Sequence, residues 1–250
     1  GVDISDFDIK DEKASHKFIV NYLPDAVIHC AAYTAVDKAE DNPDLCRAVN
    51  SEGPGNIAKA CKEAEAKMVY ISTDYVFPGD GNGYYETDDL TGPLNVYGKT
   101  KLDGELAVKA ILDHYFIVRT SWVFGVNGNN FIKTMLKLTE ARNEISVVSD
   151  QIGSPTYTAD LAPLLCDMVV TDKYGTYHAT NEGICSWAEL VEEVFKTANR
   201  HTKVNHITTE DYPTKAIRPK NSRLSKKSLD EAGFKRLPEW KNAINRYLEI

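Results

Sequence analysis

Short apolar runs rich in β-branched residues alternate along this chain with longer stretches of three- and four-residue apolar spacing. The run DAVIHCAA (residues 25–32) follows a proline and is too short for a buried helix, so it reads as a buried parallel strand. Residues 43–64 carry helical spacing, and KMVYIS (67–72) returns to strand character. Residues 95–112 predict a helix, 115–120 a strand, 130–141 a helix and 145–148 a strand. This pattern implies βαβ units and an α/β fold with a doubly wound parallel sheet of Rossmann type, which places ligands at the carboxyl ends of its strands.

From about residue 150 the rhythm loosens into loops such as GSPT (153–156), YPTK (212–215) and RPKNSRL (218–224). The expected organisation is therefore a nucleotide-binding domain over 1–148 and a smaller α+β domain over 149–250, mainly substrate-binding and partly interleaved with the first. A doubly wound nucleotide-binding domain ordinarily opens on a strand, a glycine-rich turn and a helix, since glycines let the backbone approach a pyrophosphate. No such opening is present. The dense glycine run GDGNG (79–83) is followed by a polar loop rather than a helix and reads as a surface turn. The chain is accordingly expected to begin near the second strand, with about 30 to 35 residues preceding it in the parent protein.

Composition excludes several classes of function. A net charge of −8 argues against a nucleic-acid binder, which relies on a basic surface. No run approaches the roughly 18 apolar residues of a membrane span, and no signal pattern opens the chain, so a cytoplasmic location is expected. The five cysteines, Cys30, Cys46, Cys61, Cys166 and Cys185, form no metal-ligand spacing and are expected to be buried, reduced thiols.

Tyr97 and Lys101 stand four apart on one face of a predicted helix. An ammonium near a phenol favours the phenolate, and a Tyr brought toward neutrality is a usable general acid for a carbonyl under reduction. A pair of this spacing also arises by chance on a solvated helix face. Its context is the strand end YISTDYVF (70–77), where Ser72 and Thr73 offer hydroxyls to a substrate oxygen on which negative charge develops. The simpler alternative is that Ser72 and Thr73 cap the following turn.

Six segments in order, STDYVF (72–77), PLNVYGKTK (93–101), RTSWVF (119–124), NNF (129–131), DQIGSPT (150–156) and RPKNSRL (218–224), resemble the motif series of the dTDP-4-dehydrorhamnose reductases, a group of extended short-chain dehydrogenases/reductases. The resemblance covers essentially the whole chain. It implies NAD(P)H-dependent reduction of the 4-keto group of a dTDP-linked 6-deoxysugar. Tyr97 would be the proton donor, Lys101 would hold the nicotinamide ribose, and Thr73 would bind the reacting oxygen. Asp74 would contact sugar hydroxyls and Trp122 would pack on the sugar ring, with core packing as the alternative for the indole.

For the cofactor, NADPH or NADH, the resemblance implies contacts from Ala31, Ala32, Tyr33, Thr34 and Ser72, and from Asp8 and Ile9 near the adenine. Arg218, Asn221 and Arg223 are expected at the diphosphate, or else in surface ion pairs. Some relatives carry a metal-binding glutamate after DQxGxPT; here Ala159 stands at the aligned place, so no metal is expected, and either a monomer or a homodimer is allowed. Within the superfamily a 4,6-dehydratase would need an acid beside Asp74, where this chain has Tyr75, and an epimerase fits Trp122 and DQIGSPT less well. A regulatory subunit like the methionine adenosyltransferase β subunit would retain Tyr and Lys, but Asp74 and Trp122 favour the enzyme.

Overall fold

The computed structural model describes residues 1–249. Four parallel strands form the main sheet: β1 (Ala26–His29), β2 (Lys67–Thr73), β3 (Tyr115–Thr120) and a fourth, Gly175–His178, in that spatial order. Side chains alternate across this sheet. Met68 and Tyr70 of β2 and Ile117 of β3 face helices Glu12–Tyr22, Gly53–Glu63 and Val96–Ile111, packing with Ile19, Ile57 and Val108. Val69, Phe116 and Val118 face the other way onto Leu161, Leu165 and Met168 of helix Thr158–Val169. Both faces are thus covered at β2 and β3, which explains why these two strands read as nearly continuous apolar runs. The fold is the expected doubly wound, Rossmann-like α/β architecture.

Two sequence expectations are corrected. The strand expected at 145–148 spans Glu144–Val148 and does not join the main sheet; it pairs in parallel with Lys203–Ile207. The fourth strand of the main sheet comes instead from Gly175–His178, a GTYH stretch too short and too polar to stand out by pattern. Around Glu144–Val148 a second core gathers Phe124, Ile132, Val147, Phe195, Trp240 and Tyr247. Helix Trp187–Thr197 in this part starts on a capping box in which Ser186 and Glu189 satisfy each other's backbone N–H, which stabilises the helix start by about 1 kcal/mol.

The helix expected over 43–64 is not one regular element. It runs as α-helix over Pro43–Arg47, as a π-turn over Ala48–Glu52 and as α-helix again over Gly53–Glu63. Pro54 has no N–H to donate to the carbonyl of Asn50, so the regular four-residue ladder cannot continue through this point. The thiols differ from expectation too. Cys46, Cys61 and Cys185 are buried, whereas Cys30 and Cys166 are exposed, and all five are free. Among the described residues, no helix is long and apolar enough to cross a membrane.

Candidate active site

β2 ends at Thr73 in extended conformation, and the chain turns at once into a short helical turn, Asp74–Val76. The Thr73 hydroxyl accepts from the Tyr75 N–H at 3.2 Å and donates to Asp74 Oδ1 at 3.0 Å, so it does cap this turn. The cap and the site are the same feature, because the turn carries Asp74 and Tyr75 to the strand end.

Helix Val96–Ile111 is brought against this turn by its own first residues. Asn95 caps it, accepting from the Gly98 N–H at 2.8 Å, while its amide donates to the Ile217 carbonyl at 2.8 Å. A side chain at position 98 is excluded, since a Cβ there would lie 2.2 Å from the Tyr75 carbonyl oxygen. That close approach puts the Tyr97 ring edge-on to Tyr75, with centroids 5.5 Å apart, and brings the Tyr97 phenol near Thr73 and Asp74. Tyr97 is thereby brought to the adjacent pair Thr73 and Asp74, which lies far from it in sequence.

The electrostatics depart from the sequence expectation. Burial raises the Tyr97 phenol, with the neighbouring Thr73 hydroxyl acting the other way and the nearby Asp74 adding to the rise. The Lys101 ammonium is directed elsewhere. The Lys101 ammonium is almost wholly buried, donates to the Ile71 carbonyl at 2.7 Å and lies 4.0 Å from the centroid of the Tyr70 ring. Burial pushes it down to about 7, opposed by the charge of Glu105. With one donor used on Ile71, Lys101 has further N–H groups for a ribose hydroxyl. Asp74 is buried and pushed up to about 6 by desolvation, which the nearby hydroxyls of Ser222 and Thr73 oppose. Its Oδ2 has no partner, which marks a place for a ligand hydroxyl.

Of the residues expected at the cofactor, Ala31 to Thr34 follow the end of β1, and Asp8 and Ile9 precede the first helix. Ala31 and Thr34 are exposed, and Ala32 and Tyr33 are half-buried. Their loop is clamped by Asn50, whose side chain accepts from the Tyr33 N–H at 2.7 Å and donates to the Tyr33 carbonyl at 3.0 Å. Asp8 accepts from the Lys10 N–H and pairs with the Lys10 ammonium, and the Ile9 carbonyl accepts from Asn56. Ile9 also packs over Gly53, where a Cβ would meet its side chain at 2.7 Å. An exposed loop of small residues beside a buried lysine with spare donors suits a nicotinamide dinucleotide.

Other expected residues are placed differently. Ser72 does not face the cleft: its hydroxyl donates to Glu105 Oε1 at 2.5 Å. The Asn221 amide is spent on the carbonyls of Asp80 and Gly83, holding the 79–83 surface turn, and its oxygen accepts from Arg223. Arg218 pairs with Asp37 at 2.5 Å and donates to the Tyr75 phenol at 3.2 Å, which places it beside the strand-end turn. Trp122 stacks on Trp187 with centroids 3.8 Å apart, packs over Gly153 and sits at φ 50°, a left-handed backbone costly for a large residue. Half-buried, it joins the second core at its edge.

Sequence reasoning missed Asn50, Asn95, Glu105 and Asp37. Only Asn95 carried a legible signal, as a capping residue immediately before a periodic apolar stretch. The others act through partners distant in the chain.

Comparison with known proteins identifies the family of the chain. The family described as RmlD substrate binding domain matches residues 1–250. A dTDP-4-dehydrorhamnose reductase of Mycolicibacterium smegmatis is 43% identical over 244 residues, covering 96% of this chain and 74% of the relative. The spore coat polysaccharide biosynthesis protein SpsK of Bacillus subtilis is 41% identical, covering 96% of this chain and 84% of the relative. The crystal structure of a Bacillus anthracis dTDP-4-dehydrorhamnose reductase in complex with NADP superposes with a TM-score of 0.97 at 44% identity, covering 99% of this chain and 88% of that one. With the family model matching the whole chain and relatives more than 40% identical over nearly all of it, the chain belongs to the RmlD substrate binding domain family.

Proposed function

We propose that this protein reduces the 4-keto group of dTDP-4-dehydrorhamnose with NAD(P)H, giving dTDP-L-rhamnose for polysaccharide synthesis. The observation that carries the reading is the meeting of Tyr97, Thr73 and Asp74 at the end of β2, with Lys101 one helical turn below Tyr97. Relatives about 40% identical that bear the reductase name support the substrate, and the NADP complex of the Bacillus anthracis protein supports the cofactor.

In this reading Ala31, Ala32, Tyr33 and Thr34 hold the cofactor with Asp8 and Ile9, and Lys101 donates to its ribose. The cofactor supplies the hydride. Thr73 turns its hydroxyl from Asp74 to the substrate oxygen, where a hydrogen bond strengthens as negative charge develops. Tyr97 delivers the proton to that oxygen. Its raised pKa keeps the phenol protonated until the oxygen becomes basic, so it serves as acid without being a constant source of phenolate. Asp74 accepts from a sugar hydroxyl through its free Oδ2, and Trp122 offers a rigid apolar face to the deoxysugar. Arg218 exchanges Asp37 for the diphosphate, which a guanidinium grips by paired hydrogen bonds. Residues 1–148 would then serve chiefly the cofactor and 149–250 mainly the substrate, acting in the cytoplasm where nucleotide sugars are made.

The test is direct. Purified protein given NADPH or NADH and dTDP-4-dehydrorhamnose should oxidise one cofactor per dTDP-L-rhamnose formed, followed by absorbance and by chromatography of the product. No cofactor oxidation with either nucleotide would overturn the reading.

A further inference from the structure

The residue beneath Lys101 has no part in the chemistry above. Tyr70 lies in β2, fully buried, with its ring face 4.0 Å from the Lys101 ammonium. Its hydroxyl donates to the Asn50 carbonyl at 3.0 Å, with the Lys101 carbonyl also in reach at 3.3 Å. We propose that Tyr70 is a positioning residue of the site: its ring carries the charge of Lys101, and its hydroxyl fixes the turn whose Asn50 clamps the cofactor-side loop. This rests on the reductase reading for its consequence in turnover, though not for its geometry.

Three features of the structure converge on that role. First, an ammonium withdrawn from water needs compensating negative potential, and the face of an aromatic ring provides it without adding a group that ionises near neutrality. The ionisable groups around Lys101 are Glu105 and Tyr97 on its own helix, Cys46 on the helix Pro43–Arg47, and His29 and Cys30 at the end of β1. His29 stacks on the Tyr70 ring at 5.8 Å and is held neutral by burial and by Lys101 itself, so no second cation competes for the ring.

Second, Pro54 leaves the Asn50 carbonyl without the N–H that a regular helix would supply, and the Tyr70 hydroxyl donates in its place. Burial raises the Tyr70 phenol well above its ordinary value, which keeps it a donor. Third, the helix makes room for this bond. A Cβ at Gly104 would fall 2.4 Å from the Tyr70 hydroxyl oxygen and 2.3 Å from the Asn50 carbonyl oxygen, so a glycine sits where the contact demands one. One side chain thereby ties the lysine to the Asn50–Tyr33 clamp.

The experiment replaces Tyr70 with Phe and with phenylalanine analogues bearing progressively more ring fluorines, which preserve shape while weakening and then reversing the ring's negative face. Lys101 is titrated by NMR of its labelled ε-carbon in the ligand-free protein, and NADPH binding is measured by calorimetry. Fluorination should lower the Lys101 midpoint by roughly 0.5 to 1 pH unit relative to Phe, the size expected of a desolvated cation–π contact. The alkaline limb of kcat/KM should move to lower pH by the same amount. Tyr70→Phe alone, which keeps the ring and loses the hydroxyl, should raise the NADPH dissociation constant about threefold or more, the loss of one hydrogen bond.

A Lys101 midpoint constant across the series in folded protein overturns the ring's role. An unchanged NADPH affinity in Tyr70→Phe overturns the role of the hydroxyl. Because both are read without turnover, an inactive wild type would refute the reductase reading and leave these two results to judge Tyr70.

Discussion

Glu105 grips Arg119 by two charged hydrogen bonds, 2.9 Å to Nε and 2.8 Å to Nη2, with neither side chain more than 3% exposed. The pair joins helix Val96–Ile111 to β3 directly beneath the proposed active site. Glu105 also accepts from Ser72, and Arg119 donates to the Thr87 carbonyl, so the cluster fixes one strand end, one helix and one loop together. Glu105→Ala would leave a buried guanidinium without its counter-charge, and a stability loss of about 3 to 5 kcal/mol is expected in denaturant titrations. A loss below about 1 kcal/mol would mean that Arg119 readily reaches water or another acceptor.

Tyr97→Phe should keep the fold and lower turnover by about 10² to 10⁴-fold, the range for loss of general-acid assistance. Steady-state kinetics beside an unchanged circular dichroism spectrum checks it. Wild-type turnover in the variant would place the proton donor elsewhere.

Trp122→Ala removes both the stack on Trp187 and the proposed face for the sugar. The dissociation constant for the dTDP-sugar should rise while that for NADPH stays nearly constant, since Trp122 packs against Trp187, Gly153 and the second core. Calorimetry with each ligand separates the two. Equal sugar affinity would return the indole to a purely packing role.

Gly104→Ala sets two effects against each other. Helix propensity favours alanine by about 1 kcal/mol, but the added methyl would sit well inside contact distance of the Asn50 carbonyl and the Tyr70 hydroxyl. Backbone and buried ring cannot both yield cheaply. A net loss of at least about 1 kcal/mol is expected, and a gain in melting temperature would contradict the close packing at this point.

Acid should destabilise the protein below neutrality. Burial holds His29 and His178 neutral down to about 3, reinforced by Lys101 for His29 and by Arg119 and Lys226 for His178, against an ordinary value of 6.5. The unfolded chain takes up these two protons as pH falls from 6.5 toward 3 and the folded chain does not, so stability declines through that window. At pH 5 each histidine should cost about 2 kcal/mol. Asp74 works in the opposite direction. Its carboxyl is pushed up to about 6 from an ordinary 3.8, so the folded state holds a proton that the unfolded state lacks, which returns about 1 kcal/mol at pH 5. Unfolding free energies at pH 7 and pH 5 test the balance, and His178→Gln should flatten the slope. Equal stability at the two pH values would place both imidazoles in contact with water.

Much of the main sheet was legible because β2 and β3 are buried on both faces, which writes an uninterrupted apolar run into the sequence, and β1, at the sheet edge with Ile28 exposed, carries a similar run. Gly175–His178 was not legible, since this edge strand is short and carries Gly, Thr and His. Glu144–Val148 has the same strand character as the others, and nothing local distinguishes a strand that pairs with β3 from one that pairs with Lys203–Ile207. In the site, Tyr97 and Lys101 were readable by spacing and Thr73 by its strand-end position. The engagement of Ser72 with Glu105, of Asn221 with the 79–83 turn and of Asn50 with Tyr33 was invisible, because each joins residues far apart in the chain.

The sequence by itself determined the alternating layers and the residue types that meet at the end of β2, since periodicity and chemical identity are local properties. Tertiary structure alone decided which hydroxyl faces the cleft, where the Lys101 charge rests and which direction each buried group's proton affinity moves. Those outcomes depend on desolvation and on distances between groups from different elements, and such quantities exist only once the chain has packed.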